Sequence, residues 1–548
     1  LIAHGGCVAV PPPTSQGSTG HLHDLPPITI TRSIRRHAWG LLCLGLVAAL
    51  YCFWTATDQM GHFANDGPGY LMMARHYSPF LHESAVNADY ARFARFPPLY
   101  PLLLAWAGCA GGLQAVHLLT TAFLLAALAA YYAWLLSQGA APAQAALLGL
   151  LVTVLPGTWL QGLMVQSEYL YLFWSLLALL LLARREQAAA CRDELLYAAA
   201  MAVAAAALTR TIGVALLLPL LLAARSAQLK PRILAAAAAL LPPLAWQLLH
   251  KSQLGYGQAI GEIYGHDGVQ VLLAQLRAEL PALRAGFAQD FLHAPLAVHP
   301  LLDGLGLLLL AGAAGRALRL KADGLYLAAY LAIVLVWPFP EEAWRFVWVV
   351  LPIAACQWVL LVAEALRVPA DAAVLRVGTV LLALAVLVPA VPSVSFAAQR
   401  YLAAAGPSLL PARGIAAWYD VDAAAHATHA QLARSAAMRR IAQQTPADAC
   451  VISVRTDLVN FYGDRRSYLP SINSIPDPYF QDLLRAPGCR YVFMSTITYS
   501  RYPVALHPAQ RLGTRIEVLD VLDEPDPAPA NSRVSAILAI LPPAAAQP

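Results

Sequence analysis

Charge is scarce in this chain. Of its 548 residues only 12% are Asp, Glu, Lys or Arg, about half of the roughly 25% that soluble domains carry. Lysine is nearly absent, occurring at 230, 251 and 321 alone, so the net charge of +5 rests on arginine. No basic patch interleaved with aromatic residues occurs, which removes nucleic acid as a partner. The chain also lacks a P-loop and a dinucleotide fingerprint, and with them the common nucleotide chemistries. Its eight cysteines show no CxxC spacing, and no HxxxH or HExxH pair exists. Ligand spacing therefore indicates neither a metal nor a redox cofactor, although His62, His76 and His82 lie near Asp66 and Glu83. Glycine shows no period, which excludes a collagen-like fibre.

What fills the chain is apolar. Hydrophobic residues make up 59% and the mean hydropathy is +0.57, values that exclude a purely soluble enzyme and a disordered chain. Crossing a membrane takes about 20 apolar residues. Candidate spans lie near 38–57, 113–136, 143–157, 167–183, 194–209, 211–224, 233–249, 300–315, 324–338, 346–366 and 376–395, about eleven in all. Residues 1–37, rich in Pro, Gly, Ser and Thr at their start, read as a disordered cytoplasmic tail. Arg32, Arg35 and Arg36 precede the first span, and further basic clusters follow at 184–192, 225–232, 316–321 and 367–376. Arginine and lysine in short loops favour the cytoplasm. All five clusters fall inside if 194–224 forms two short helices meeting at Arg210 on the outer side. The expectation is a multi-pass protein of a bacterial inner membrane, with its N-terminus inside and its C-terminal part in the periplasm. The alanine- and arginine-rich composition fits a GC-rich bacterial genome.

That arrangement gathers the polar residues on one face: a loop at 58–112, a turn at 156–166, Arg210, a segment at 250–299, a loop at 338–345, and everything after 396. The 250–299 segment carries Tyr256, Glu262, Tyr264, His266 and Asp267, and reads as a mobile lid or a plain connector. Residues 396–548 change character. Short β-rich runs at 450–454, 490–495, 515–521 and 534–540 alternate with helical stretches at 427–444 and 478–486, which predicts a small soluble α/β domain. Cys450 and Cys489 each start a strand there, as a disulfide or as two buried thiols.

The 58–112 loop holds the most chemistry. Asp66 precedes Gly-Pro-Gly and a helix bearing Tyr70. It reads either as an N-cap or as a general base for a hydroxyl proton. Farther along come Glu83, Asp89 and the rigid entry Pro97-Pro98-Leu99-Tyr100-Pro101. Arg210 and Arg345 sit at the outer boundary, where a guanidinium suits phosphate oxygens. Their structural alternatives are snorkelling, or for Arg345 a pair with Glu341 or Glu342. Glu168 opens a span, where a carboxylate favours the helix N-terminus; it reads mainly as structural, with acceptor binding or an arginine pair as the alternatives.

Asp66 with Tyr70 and Ala74, followed by the Pro97–Pro101 entry, resembles the first external loop of the GT-C superfamily of membrane glycosyltransferases, with lipid A aminoarabinose transferases and protein O-mannosyltransferases the nearest in look. Ser167-Glu168, Leu208-Thr209-Arg210 before Gly213, Trp337-Pro338 ahead of Arg345, and the run from Asp457-Leu458-Val459 to Tyr462-Gly463-Asp464-Arg465-Arg466 extend the resemblance from about residue 38 onward. It implies a GT-C-like fold, a sugar donor on a polyprenyl phosphate, and an acceptor hydroxyl on a lipid, glycan or protein at the outer face of the membrane. Asp66 falls at the family's catalytic Asp. Gly67 stands where many relatives carry a second acid, so Asp89, Glu83 or Glu168 is left to supply it, with Tyr70 beside them as an acceptor contact. Two rival readings are a transporter or flippase of a lipid-linked saccharide and a non-catalytic envelope assembly factor. The first would want midplane charges and repeated halves, and the spans offer neither.

Overall fold

The computed structural model describes residues 30–55, 66–82, 84–93, 96–188, 191–249, 268–291, 300–337, 343–366, 376–380, 383, 435–453, 456–468, 489–494, 516–524 and 533–540. Residues 1–29, Glu83, Glu341, Glu342, the polar stretch 256–267, the predicted helix at 478–486 and most of the predicted span 376–395 lie outside them, whereas 30–37, expected in the disordered tail, are helical and continue into the first span.

The described chain is a helical body with a small sheet at one end. Its helices are α1 (Ile30–Thr55), α2 (Gly67–Tyr77), α3 (Ala85–Phe93), α4 (Leu99–Trp106), α5 (Leu113–Ser137), α6 (Pro142–Val154), α7 (Pro156–Leu163), α8 (Glu168–Gln187), α9 (Arg192–Thr209), α10 (Leu217–Ala224), α11 (Leu229–Leu249), α12 (Gly268–Phe291), α13 (Pro300–Leu318), α14 (Ala322–Leu335) and α15 (Ala343–Leu366). By length and composition α5, α11 and the 345–366 stretch of α15 can each cross a membrane, and α6 with α7, bent by 62°, can make a fourth span. Helices stand at ten of the eleven places expected to span, but among the described residues only those three, or four with the bent pair, are long and apolar enough to cross, and several others, such as α10 and α14, are short. Over its second half the 250–299 segment is not a plain connector, because α12 runs there for 24 residues and packs along α15 and α7.

One continuous apolar core joins these helices. Alanines make it tight: Ala199, Ala200, Ala202 and Ala206 of α9 are buried, and small side chains bring helix backbones close where dispersion must replace the hydrophobic effect. Leucines on α11 face outward instead, with Leu241, Leu244, Leu248 and Leu249 at least half exposed. In water that surface would be costly, whereas lipid tails suit it. A second cluster roofs one end, where Tyr70, Phe96, Tyr100 and Leu104 of α2–α4 pack together. Gly69 is required there, since a Cβ would come within 2.5 Å of the Phe96 ring.

The sheet has the order β2-β1-β3-β5-β4, with β1 (Cys450–Ile452) parallel to β2 (Arg466–Tyr468) and β3 (Cys489–Met494), and β5 (Arg533–Ile540) antiparallel to β3 and β4 (Ile516–Glu524). Four strands fall at the predicted runs. The three-residue β2, too short to alternate, was not legible. Helical residues 435–444 and α16 (Thr456–Gly463) complete the module. Buried Arg465 donates from Nη2 to the carbonyls of Ala442 and Thr445 at 2.7 and 2.8 Å, closing the end of the 435–444 helix. Among the described residues, the module shares its core with the helical body. Met438, Ile441, Val451, Leu458, Val459, Tyr462 and Phe493 form one cluster with Trp54 of α1 and with Trp159 and Leu163 of α7. Cys450 is disulfide-bonded and stands in register with Cys489. Cys191, in a loop assigned by charge to the cytoplasm, is disulfide-bonded as well, so the disulfides alone do not assign compartments.

Candidate active site

Four side chains from four distant places meet at the sheet-bearing end of the helical body. Asp66 precedes α2, Glu168 opens α8, Arg210 follows α9, and Arg345 lies in the first turn of α15. Each is placed by a local feature of the sequence. Asp66 makes no side-chain cap bond, and only its carbonyl accepts from the Tyr70 N–H at 3.0 Å, so its carboxylate is turned toward Arg345. Glu168 follows the α8 N-cap Ser167, where the helix dipole favours a negative charge. Arg210 is held extended (φ −147°, ψ 134°) between α9 and a 3₁₀ turn at Thr211–Leu216. The Gly213 N–H closes that turn on the Arg210 carbonyl at 2.8 Å. Any Cβ at Gly213 would lie 2.5 Å from the α9 backbone at Ala206 and Ala207, so only glycine lets the chain double back here.

Glu168 is the hub. Its Oε1 accepts from Arg210 Nη1 at 2.5 Å and from Arg345 Nε at 2.9 Å, and Arg345 Nη2 pairs with it in charge at 2.8 Å. Arg345 Nη2 also reaches Asp66 Oδ2 at 3.0 Å. The two arginines and two carboxylates balance in charge, a condition for burying ions at all. The burial is uneven: the side chains of Arg345 and Glu168 are 0% and 1% exposed, those of Arg210 and Asp66 11% and 18%. Solvent thus reaches the cluster at Asp66 and Arg210. Glu168 Oε2 is buried without a partner among the described residues. The Arg210 guanidinium stands 5.6 Å from the centre of the Phe346 ring, and Tyr70 Oη lies 3.0 Å from Ser167 Oγ. Burial first, and then the nearby Asp66 carboxylate, push the Tyr70 hydroxyl well above its usual value, so it stays a neutral hydrogen-bonding group.

Of the residues singled out by sequence, Asp66, Tyr70, Glu168, Arg210 and Arg345 come together. Asp89 does not. On α3 it faces Arg466 of the sheet module at 3.6 Å, both side chains well exposed. Sequence reasoning did not single out Phe346 or Ser167 as members of the site. Ser167 carried a signal only as the residue before Glu168, and Phe346 only as the neighbour of Arg345. Among the described residues no group of three or more His, Cys, Asp or Glu side chains is placed to hold a metal ion. Chemically, the arrangement offers a partly exposed carboxylate beside two guanidiniums, one of them rigidly held: a proton acceptor next to an anion cradle.

No family model matches the sequence, and no curated protein matches it. Several solved structures are similar to the chain. ArnT from Cupriavidus metallidurans, bound to undecaprenyl phosphate, is 16% identical at a TM-score of 0.49, over 92% of this chain and 98% of that one. An Archaeoglobus fulgidus oligosaccharyltransferase in complex with Zn and sulfate is 12% identical at 0.46, over 82% and 67%. The oligosaccharyltransferase AglB of the same archaeon, with an inhibitory peptide and a dolichol-phosphate, is 12% identical at 0.45, over 84% and 69%. These similarities are remote, and the chemistry of this chain has to be sought in its own cluster.

Proposed function

We propose that the chain is a membrane glycosyltransferase of the GT-C type. It moves a sugar from a polyprenyl-phosphate-linked donor to an acceptor hydroxyl at the periplasmic face. The observation that carries this reading is the convergence of Asp66, Glu168, Arg210 and Arg345 at one end of an apolar helical body. Inverting transfer needs two things: a base for the hydroxyl proton, and positive charge where the phosphate leaves. Asp66, the most exposed of the four, takes the proton. The acceptor oxygen attacks the anomeric carbon, the bond from that carbon to the phosphate oxygen breaks, and the polyprenyl phosphate departs with the electron pair. Arg210 and Arg345 hold the departing anion, and Glu168 fixes both guanidiniums at the required spacing.

The resting contact between Arg345 and Asp66 gives the donor a second effect. A phosphate offers Arg345 another anion, relaxes its hold on Asp66, and so prepares the base only when the donor is bound. The apolar sides of the bundle suit a prenyl tail. A flippase would also bind the donor, but it would not need a carboxylate beside the leaving group.

The test is sugar transfer from a radiolabelled polyprenyl-phosphate donor pool to membrane acceptors, with Asp66→Asn compared at matched expression. The expected result is loss of transfer by about 10²–10⁴-fold, the usual contribution of a general base, with donor binding retained. Wild-type transfer that survives in Asp66→Asn would remove Asp66 from the chemistry. Donor translocation without any transfer would favour the flippase.

A further inference from the structure

A second concentration of positive charge lies away from the cluster, where the helical body meets the sheet module. There a cavity of about 300 Å³ opens between α2, the Gly111–Gly112 approach to α5, the helical residues 435–444 and α16. Two guanidiniums line it, Arg75 from α2 and Arg439 from the module, and among the described residues no carboxylate does. Arg75 lies 4.5 Å from the centre of the Phe461 ring and Arg439 5.6 Å from that of Tyr462. The two rings meet edge to face at 5.0 Å. Stacking on a ring uses the face of a guanidinium and leaves its N–H edge available. The Arg75 Nε contact with the Ala110 carbonyl is long, at 3.4 Å. Among the described residues neither arginine has a carboxylate within salt-bridge distance; the acid that acts on Arg75 is the exposed Asp464, at long range. Burial lowers the proton affinity of Arg75, with Tyr462 and Asp464 offsetting part of the effect. Arg75 is thus half-buried and Arg439 exposed, and among the described residues neither guanidinium is met by a carboxylate in direct contact, which leaves both able to take an anion.

The geometry points to this cavity as a docking site for a phosphate monoester carried by the acceptor, separate from the donor-phosphate cradle. Two positive charges match the near-dianion of a monoester, and the volume is at the lower end for sites that hold a small ligand. Its placement follows from α2. Asp66 stands at the start of that helix and Arg75 nine residues later, about 13 Å along the axis. A rigid helix therefore sets the span between an anchored phosphate and the hydroxyl presented to Asp66. Because it assigns the ligand to the acceptor, this inference rests on the transferase reading above.

Gly112 allows the site to be tested without disturbing the fold. Its backbone is extended (φ −154°, ψ 134°), it is the N-cap of α5, and a Cβ there would meet no atom within 4 Å. Asp and Asn are both good N-caps, so Gly112→Asp and Gly112→Asn should fold equally well while differing by one negative charge at the cavity. The experiment is equilibrium dialysis of the full chain in detergent against radiolabelled inorganic phosphate and against a labelled hexose phosphate. Arg75→Gln, both Gly112 variants and Arg210→Gln are run alongside. The expected result is a saturable site weakened at least tenfold by Arg75→Gln and by Gly112→Asp, spared by Gly112→Asn and Arg210→Gln, and filled more tightly by the hexose phosphate than by phosphate. Binding indifferent to Arg75→Gln and Gly112→Asp, or no binding by the wild type, would overturn the site. Equal affinity for the two probes would overturn its assignment to an acceptor. Sound binding in a chain that never transfers sugar would sink the transferase reading and leave the anion site standing.

Discussion

Arg345 and Arg210 share Glu168 but use different parts of the guanidinium. Arg345 engages through Nε and Nη2 and spans two carboxylates, whereas Arg210 meets Glu168 through Nη1 alone. A lysine carries the charge but not the fork. Arg345→Lys should therefore lower transfer more than Arg210→Lys does. The difference is that of one charge-assisted hydrogen bond, about 1.5–3 kcal/mol or roughly ten- to a hundredfold in rate; equal losses would argue against a bidentate role. Glu168→Gln removes the shared anion from between two buried cations. Breaking a buried pair costs about 3–5 kcal/mol, so the unfolding midpoint in detergent should drop by several degrees, with Glu168→Asp recovering part of it. The residue types of this site were readable in the sequence because ionised side chains are scarce there, so each one at a span boundary stood out. Their partners were not. Nothing local to Arg345 points to Asp66, 279 positions away, when Glu341 and Glu342 lie within four.

At the scale of elements, the break after α9 governs the site. Gly213 presses against the α9 backbone and fixes where Arg210 leaves the helix. In Gly213→Ala the chain must shift at Ala206–Ala207, and the guanidinium moves with it. Transfer should fall at least tenfold while the protein still inserts and is extracted intact, as read by activity and by size-exclusion chromatography of matched preparations. Charge in the loops marked this junction from sequence alone, since a single long span would have put Arg210 inside the bilayer. The second half of the 250–299 segment was misread for a related reason. Pro281 stands within α12, and the polar, glycine-bearing stretch before that helix drew attention from the apolar positions inside it.

The whole molecule carries ionic clusters at both ends. Opposite the site, buried Arg316 donates to Asp323 from Nε at 2.6 Å and Nη2 at 3.0 Å, and from Nη1 to Glu364 at 2.9 Å. Arg345 and Glu364 both belong to α15 and stand 19 residues apart, about 29 Å of helix, close to the roughly 30 Å of a bilayer core. That spacing supports an orientation with the Arg316 cluster on one side of the membrane and the sheet module on the other. Expected from it is one-sided labelling: in a background without other reactive thiols, Lys321→Cys should react with an impermeant maleimide only in inverted vesicles, and Asp464→Cys only in right-side-out spheroplasts. Reaction of both from the same side would overturn the orientation. Element positions in the helical body were legible from hydropathy and loop charge. That the sheet module shares its core with the bundle was not, because pairings between α1 and residues some 400 positions later leave no local pattern.

That shared core has a consequence for biogenesis. Trp54 belongs to the first described helix, Phe493 to the third of the five strands, and both pack in a single cluster. That cluster is completed only when Trp54 of α1 and Trp159 and Leu163 of α7 are in place, so the module reaches its final packing on the helical body. Final packing of the sheet module is thus coupled to correct placement of the helices it rests on.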